Sequence, residues 1–198
     1  MKRAVVVLAA GVLAVATGWP AWASTSNVEM TSTLKFDPTP ISVAIGDTVQ
    51  WNNDSGFTHT ATSNAGWFNT GDVTTGNFKT KLFLFGGAFK YHCKYHGSQG
   101  MVGSVKVPDR WLNTGTQHAG DVQKIRIAAV AAPNGLAYDV QMRTTGGDWH
   151  VYKSKITNAV VKFTPSDPGE YQFRSRVHRL SNNRVSGYGP PAFVEISA

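Results

Sequence analysis

The chain has 198 residues, of which 41% are hydrophobic and 16% are charged, and it contains six Trp, six Tyr and ten Phe. This composition excludes intrinsic disorder, because disordered chains have few aromatic residues and a high charge per residue. The single cysteine, Cys93, excludes a disulfide scaffold, which requires pairs. The thiol is therefore an inert buried side chain, a nucleophile or a metal ligand.

The N-terminal residues 1–23 have the pattern of an export signal. Lys2 and Arg3 precede an apolar stretch, Ala4–Thr17, and Ala21-Trp22-Ala23 forms a small-residue cleavage site. The apolar stretch is shorter than the roughly 20 residues that a membrane-spanning helix needs. We expect a mature protein that is exported, secreted or periplasmic, with no membrane span after cleavage.

The net charge of +7 is spread along the chain. Two of the positive charges belong to the signal, and the remaining Lys and Arg form no dense run of the kind that marks a nucleic-acid interface. No nucleic-acid partner is expected. The modest basic excess lies mostly after residue 109 and favours acidic partners or surfaces.

Short alternating runs separated by Gly, Asn, Asp and Pro fill the mature chain, which predicts an all-β protein. One series of strands occupies residues 24–108 and a second occupies residues 118–198. Residues 109–117 show no alternation and are predicted to be a linker. The expected architecture is therefore two consecutive β-sandwiches.

The first series contains a segment rich in metal-binding side chains. Cys93, His96 and Met101 have the spacing C-x2-H-x4-M, and His59 lies upstream after the strand that contains Trp51. Alternation from Phe89 directs Cys93 inward at the end of a strand. A thiolate, a thioether and two imidazoles suit copper, and two His, one Cys and a weak axial Met form an electron-transfer site.

Residues 26–108 resemble the cupredoxin family of small blue-copper proteins, of the plastocyanin and pseudoazurin kind. The resemblance rests on the ligand segment, on Val43-Ala44-Ile45-Gly46-Asp47-Thr48-Val49-Gln50-Trp51, and on Met101-Val102-Gly103-Ser104-Val105-Lys106-Val107. It implies a Greek-key β-sandwich that holds one type 1 copper through His59, Cys93, His96 and Met101. It also implies one-electron transfer with a redox partner protein, without enzymatic activity.

His92, next to the cysteine, occupies the position that binds a second, catalytic copper in copper nitrite reductases. Multicopper oxidases carry His on both sides of that cysteine, but position 94 is Lys and no His-x-His pair occurs. His92 is therefore expected to face away from the core.

The second series resembles a fibronectin type III domain, an immunoglobulin-like β-sandwich. The resemblance rests on Tyr138–Arg143, on Gly147-Asp148-Trp149 and on Gly169–Val177, in which Tyr171 occupies the position of the family's corner tyrosine. It implies a module for binding or spacing, with a protein or cell-surface contact and no chemistry of its own.

Two other functions fit the same residues. The copper site would also suit storage or delivery of the metal, in which the redox change is incidental. Alternatively, the second sandwich would be the working part of a cell-surface adhesion protein that carries a cupredoxin domain.

Overall fold

The computed structural model of the protein describes residues 23–198. Of the predicted export signal, only Ala23 falls within this range, and residues 1–22 lie outside it. Among the residues described, no helix has the length and apolar character needed to cross a membrane. The described chain confirms the predicted all-β architecture.

The first half contains eight strands and one short 3-10 helix. The strands are β1 (Thr25–Met30), β2 (Phe36–Asp37), β3 (Ile41–Ser42), β4 (Thr48–Asn53), β5 (Thr62–Ser63), β6 (Asn77–Leu82), β7 (Gly87–His92) and β8 (Val102–Val107), and the helix is η1 (Gly97–Gln99).

These strands form two four-stranded sheets, in the orders β2-β1-β4-β6 and β3-β8-β7-β5. Alternate residues of β4 and β7 are buried, as the period of a half-buried strand requires. The core between the sheets is aromatic: the ring of Trp51 lies 5.4 Å from Phe68 and 5.6 Å from Tyr91, centroid to centroid. Strand β7 thus ends beside a rigid core, and its next residue is Cys93.

The second half contains nine strands. They are β9 (Arg110–Trp111), β10 (Gln117–His118), β11 (Gln123–Arg126), β12 (Leu136–Thr144), β13 (His150–Ile156), β14 (Val160–Phe163), β15 (Gly169–Arg179), β16 (Arg184–Val185) and β17 (Ala192–Ser197).

A six-stranded sheet, β10-β17-β15-β12-β13 with β16 paired to β15, accompanies a three-stranded sheet, β14-β11-β9. Strands β12 and β15 pair antiparallel over nine consecutive positions, from Leu136 opposite Arg179 to Thr144 opposite Tyr171. Tyr171, Phe173, Ser175 and Val177 of β15 are buried on one face. The alternate residues of β15 therefore lie on the opposite, outer face of this sheet.

Residues 109–117, which the sequence predicts to be a linker, contain β9 and the first residue of β10. The Trp111 ring lies 5.7 Å from Phe173, and its indole Nε1 donates to Gln123 Oε1 at 3.3 Å. The segment is therefore fixed to the second sandwich. A strand of only two residues is too short to show alternation in the sequence.

The two sandwiches meet along a seam at the start of β7. Isolated bridges join Phe85 to Ala128 and Ala88 to Gly187, and the Gly86 amide donates to the Ile127 carbonyl at 2.8 Å. Buried hydrophobic residues of both halves belong to one contiguous cluster. Because β7 runs from this seam to Cys93, the seam and the cysteine lie about 20 Å apart.

Candidate metal centre

Three of the four predicted site residues belong to one turn between β7 and β8. Cys93 follows β7, His96 precedes η1, and Met101 precedes β8. The Cys93 amide donates to the Met101 carbonyl at 3.0 Å, and the Met101 amide donates to the His96 carbonyl at 3.1 Å. These backbone bonds close the turn and bring its two ends together.

The fourth residue, His59, lies on a different segment. It forms a two-residue bridge with Val73, in which each amide donates to the other's carbonyl at 3.1 and 2.8 Å. The His59 side chain is fully buried. Pairing with the loop after β5 therefore holds this imidazole against the end of the sandwich.

The donor atoms of His59, Cys93 and His96 converge. The two Nδ1 atoms are 3.1 Å apart, and Cys93 Sγ lies 3.7 Å from His59 Nδ1 and 3.6 Å from His96 Nδ1. A single point lies about 2 Å from all three atoms, close to the distances at which His and Cys bind first-row metals such as zinc. The three side chains fit a trigonal metal ion without rearrangement, and among residues 23–198 they form the one cluster of this kind.

Met101 is fully buried beside this cluster. Its backbone bonds to Cys93 and His96 fix its position at the end of the turn. A thioether is a soft, weak ligand that suits copper in combination with thiolate and imidazole. The four residues singled out in the sequence thus lie at the same end of the first sandwich.

A polar chain behind His59 was not predicted from the sequence. His59 Nε2 lies 2.8 Å from Ser55 Oγ, which in turn donates to Asn53 Oδ1 at 2.7 Å. The amide of buried Asn53 donates to the carbonyls of Phe57 and Val73 at 2.7 and 2.6 Å. Ser55 thereby accepts the Nε2 proton, which leaves the Nδ1 lone pair free for a metal. The turn residues Asn53-Asp54-Ser55-Gly56 were the sequence signal from which these hydrogen bonds could have been predicted.

Thr60 supports the cysteine. Its amide points at Cys93 Sγ at 3.4 Å, and its Oγ1 accepts the Lys94 amide at 2.9 Å. An N–H directed at the sulfur stabilises negative charge there and therefore favours the thiolate, which is the ligand form of cysteine. One residue thus fixes both the sulfur and the backbone that follows it.

The protonation of His59 also suits metal binding. Burial lowers the pKa of His59, and the nearby charge of His96 lowers this pKa further. Since only neutral imidazole has a free lone pair, both effects favour the ligand form.

His96 is half-buried, and exposed aromatic side chains flank it. Phe57 is 52% exposed and Tyr95 is 43% exposed, with ring centroids 6.1 and 6.2 Å from the His96 ring. Tyr95 Oη donates to Asp72 Oδ2 at 2.9 Å, and Lys94 Nζ pairs with Asp72 Oδ1 at the same distance. The centre therefore approaches the surface at His96, within an apolar rim.

His92 takes no part in the cluster. Its Nδ1 lies 2.7 Å from Asn64 Oδ1, on the opposite side of the strand from Cys93. His118, His150 and His178 lie in the second half.

Comparison with known proteins identifies the first half. The family described as "Copper binding proteins, plastocyanin/azurin family" matches residues 23–108. A chloroplastic plastocyanin of Tetradesmus obliquus is 31% identical in an alignment of 116 positions, which covers 52% of this chain and 80% of the plastocyanin. The chain belongs to the plastocyanin/azurin family of copper-binding proteins.

Among solved structures, a purple cupredoxin from Nitrosopumilus maritimus is similar over 41% of this chain and 98% of its own, with 25% identity and a TM-score of 0.38. An oxidized amicyanin mutant is similar over 41% of this chain and 79% of its own, with 24% identity and a TM-score of 0.38.

Proposed function

We propose that the protein is an exported carrier of single electrons that binds one type 1 copper ion. The convergence of His59 Nδ1, Cys93 Sγ and His96 Nδ1 to within 3.1 to 3.7 Å of one another carries this proposal. Met101, buried at the end of the same turn, would supply a fourth ligand through its thioether. Copper bound there would supply the Cu(I)/Cu(II) couple.

The side chains around the donors favour a carrier because they hold the donors in place. Ser55 fixes the His59 ring, Thr60 fixes the Cys93 sulfur, and backbone bonds close the turn from Cys93 to Met101. A fixed donor set changes little between oxidation states, so little reorganisation accompanies each electron transfer.

The His96 edge is the proposed path for the electron. It is the part of the donor cluster that approaches the surface, and the exposed rings of Phe57 and Tyr95 flank it. An apolar rim of this kind suits brief contact with the apolar patch of a redox protein. The variant Tyr95→Ala should exchange electrons several-fold more slowly. An unchanged rate would show that Tyr95 is not part of the proposed rim.

The second sandwich is proposed to be immunoglobulin-like, of the fibronectin type III kind. Tyr171 Oη donates to the Asp167 carbonyl at 3.0 Å, which is the bond that a corner tyrosine makes to the backbone upstream. A three-stranded sheet opposite a larger sheet also suits this assignment.

The test is to load the purified mature protein with Cu(II), measure the metal content and record the visible spectrum. One copper per chain and an intense thiolate-to-copper band are expected. Cys93→Ser should lose the band, whereas the control His150→Gln, changed at an exposed histidine in the second half, should keep it. A colourless copper-loaded protein would contradict the proposed site.

Redox cycling then distinguishes a carrier from a copper store. A carrier should exchange electrons rapidly and reversibly with small redox proteins while it retains its copper. Release of Cu(I) on reduction, without such exchange, would instead indicate storage or delivery.

A further inference from the structure

Five side chains on the outer face of the second sandwich alternate between guanidinium groups and aromatic rings. The Arg143 and Arg174 guanidinium carbons lie 4.6 and 4.0 Å from the Trp149 ring centroid. Arg174 and Arg176 lie 4.9 and 4.7 Å from the Tyr188 ring centroid. We refer to Arg143, Trp149, Arg174, Tyr188 and Arg176, in that spatial order, as the arginine ladder.

The arginines of the ladder are oriented through their inner nitrogens. Arg143 Nε donates to Gln172 Oε1 at 2.9 Å, and Arg174 donates to Gln141 Oε1 through Nε at 2.9 Å and Nη2 at 2.7 Å. Arg176 Nε donates to Asp139 Oδ2 at 3.0 Å. Within the described chain these bonds leave five of the six Nη nitrogens without a protein partner, so the ladder presents a row of free donors.

Two of the three positive charges are held by neutral groups. Gln141 and Gln172 are amides, so they fix the Arg174 and Arg143 guanidinium groups without neutralising them. Burial lowers the pKa of Arg174, and the charge of Arg143 lowers this pKa further, while the neighbouring Tyr188 opposes the shift. Like charges held this close favour an anion between or beside them.

Two acidic groups beside the ladder are already engaged, whereas Glu195, opposite Glu170 on β17, is exposed. Asp139 pairs with Arg176, and Glu170 accepts the Gln172 side-chain amide at 2.6 Å and the Thr145 hydroxyl at 2.9 Å. Because Glu170 Oε1 accepts both of these bonds, the Gln172 carbonyl stays directed at Arg143. Asp139 thus orients Arg176 directly, and Glu170 orients Arg143 through Gln172.

The outer sheet face around the ladder carries exposed apolar side chains. Phe193 of β17 lies opposite Gln172 and is 66% exposed. Val151 of β13 lies opposite Gln141 and is 63% exposed. A row of donors across an open sheet suits an extended polymer, and the exposed Phe193 ring can cover the apolar face of a sugar.

We propose that the arginine ladder binds an anionic polysaccharide, with its Nη donors on successive carboxylate or sulfate groups and Phe193 against a sugar ring. Guanidinium groups bind such anions through paired, charge-assisted hydrogen bonds. Contact at several points along one polymer multiplies the affinity of weak single contacts. This surface lies outside the proposed electron path and does not depend on copper.

The test uses the full mature protein with heparin as the anionic polysaccharide and dextran of matched length as the neutral one. Heparin should bind, with an affinity that falls as salt rises, and dextran should not. Arg174→Gln should weaken heparin binding about tenfold. The matched control Lys162→Gln removes one charge from an exposed position of β14 and should change the affinity less than twofold.

Arg174→Lys keeps the charge but loses the planar fork, and it should also weaken heparin binding several-fold. Equal losses in Arg174→Gln and Lys162→Gln, in variants with unchanged near-ultraviolet circular dichroism, would overturn the proposal. So would undiminished binding in Arg174→Lys, or equally tight binding of double-stranded DNA or poly-glutamate, since each indicates a general charge effect.

Discussion

The two halves of the molecule each bury a histidine, and the two imidazoles have opposite surroundings. Among the described residues, the polar neighbours of His59 Nδ1 are both metal-binding atoms, the Nδ1 of His96 and the sulfur of Cys93. His178 Nδ1 lies 3.1 Å from the Asp139 carboxylate, and its Nε2 lies 3.2 Å from Asn183 Oδ1. The first half thus holds a histidine nitrogen that is available to a metal, whereas both ring nitrogens of the histidine in the second half have hydrogen-bond partners.

The difference shows how a metal site can be recognised within a β-sandwich. A structural histidine has an acceptor for each proton that it carries, as His178 has. In a ligand histidine, only one ring nitrogen has a hydrogen-bond acceptor. The other ring nitrogen points at metal-binding atoms of other residues, which cannot all be its hydrogen-bond partners. A metal site is therefore recognised by nitrogen and sulfur atoms that converge without hydrogen-bond partners, and burial alone does not identify it.

The largest predicted effect is on copper affinity, when each of the two histidines is replaced by glutamine in a separate variant. His59→Gln should lower copper affinity about a thousandfold, because one of the few strong ligands is lost. His178→Gln should bind copper as tightly as the wild type and unfold more easily by about 1 to 2 kcal/mol. Competition with a copper chelator and urea unfolding measure the two effects, and equal copper loss in both variants would contradict the contrast.

The next effect concerns the closed network around Asp139. Burial alone would raise the pKa of Asp139, but hydrogen bonds from the Lys155 amide, Arg176, Ser154 and His178 outweigh it and lower this pKa. Asp139→Asn leaves these donors without a charged acceptor, so it should lower the free energy of unfolding by about 3 kcal/mol at pH 7.

The same variant has a predicted pH dependence. A carboxyl with a lowered pKa stabilises the folded state above the ordinary value of 3.8 and loses that contribution as the pH falls through the folded pKa. The difference between wild type and Asp139→Asn should therefore shrink in acid. Urea unfolding from pH 7 to pH 3 measures it, with Asp148→Asn, at an exposed position, as the control. A constant difference across this range would contradict the assignment.

A smaller effect of opposite sign is expected at the seam. Asp109 is buried, it accepts the Ser175 hydroxyl at 2.5 Å through Oδ1, and its Oδ2 has no partner in the described chain. Burial raises the pKa of Asp109 to about 8, although the bond from Ser175 opposes this shift. The folded state then holds the proton that the unfolded state releases, so stability should decrease as pH rises from about 4 to 8.

Asp109→Asn should remove this decrease, so the stability of the variant relative to the wild type should rise between pH 5 and pH 8. Thermal unfolding followed at pH 5 and pH 8 measures the change. If the variant and the wild type show the same slope with pH, the buried carboxyl is not the group that titrates.

The smallest effect concerns Ser55, which forms a hydrogen bond with the ligand histidine His59. Ser55→Ala removes the acceptor of the His59 Nε2 proton, so the ring loses its fixed orientation. Copper affinity should fall about tenfold, as is usual when the partner of a ligand histidine is lost. Ser98→Ala, an exposed position in the ligand turn, is the control, and equal affinities in the two variants would contradict the role of Ser55.

The sequence predicted the strands and the donor residues because both depend on local patterns. Alternation marked β7, and the spacing of Cys93, His96 and Met101 is that of one short turn. Ser55 and Thr60 were not predicted, because their roles depend on how the turn after β4 meets the end of β7. The arginine ladder was also missed, since Trp149 and Tyr188 reach it from separate loops.

Asp109 illustrates a further limit of sequence patterns. Residues 109–117 show no alternation, and the sequence therefore predicted a linker that begins at this aspartate. Its burial depends on Ser175, which is 66 residues away in the chain. Contacts of this kind have no periodic signal.

The close contact of Gly86 with Asp109 and Ser175 limits how the two sandwiches can be separated or exchanged. A β-carbon at this position would lie 2.3 Å from Asp109 Oδ1 and 2.4 Å from Ser175 Oγ, so only glycine permits the contact. The two sandwiches are consequently matched to each other at atomic detail. A copper module recombined from another chain would need a glycine at this position to fit against Asp109 and Ser175.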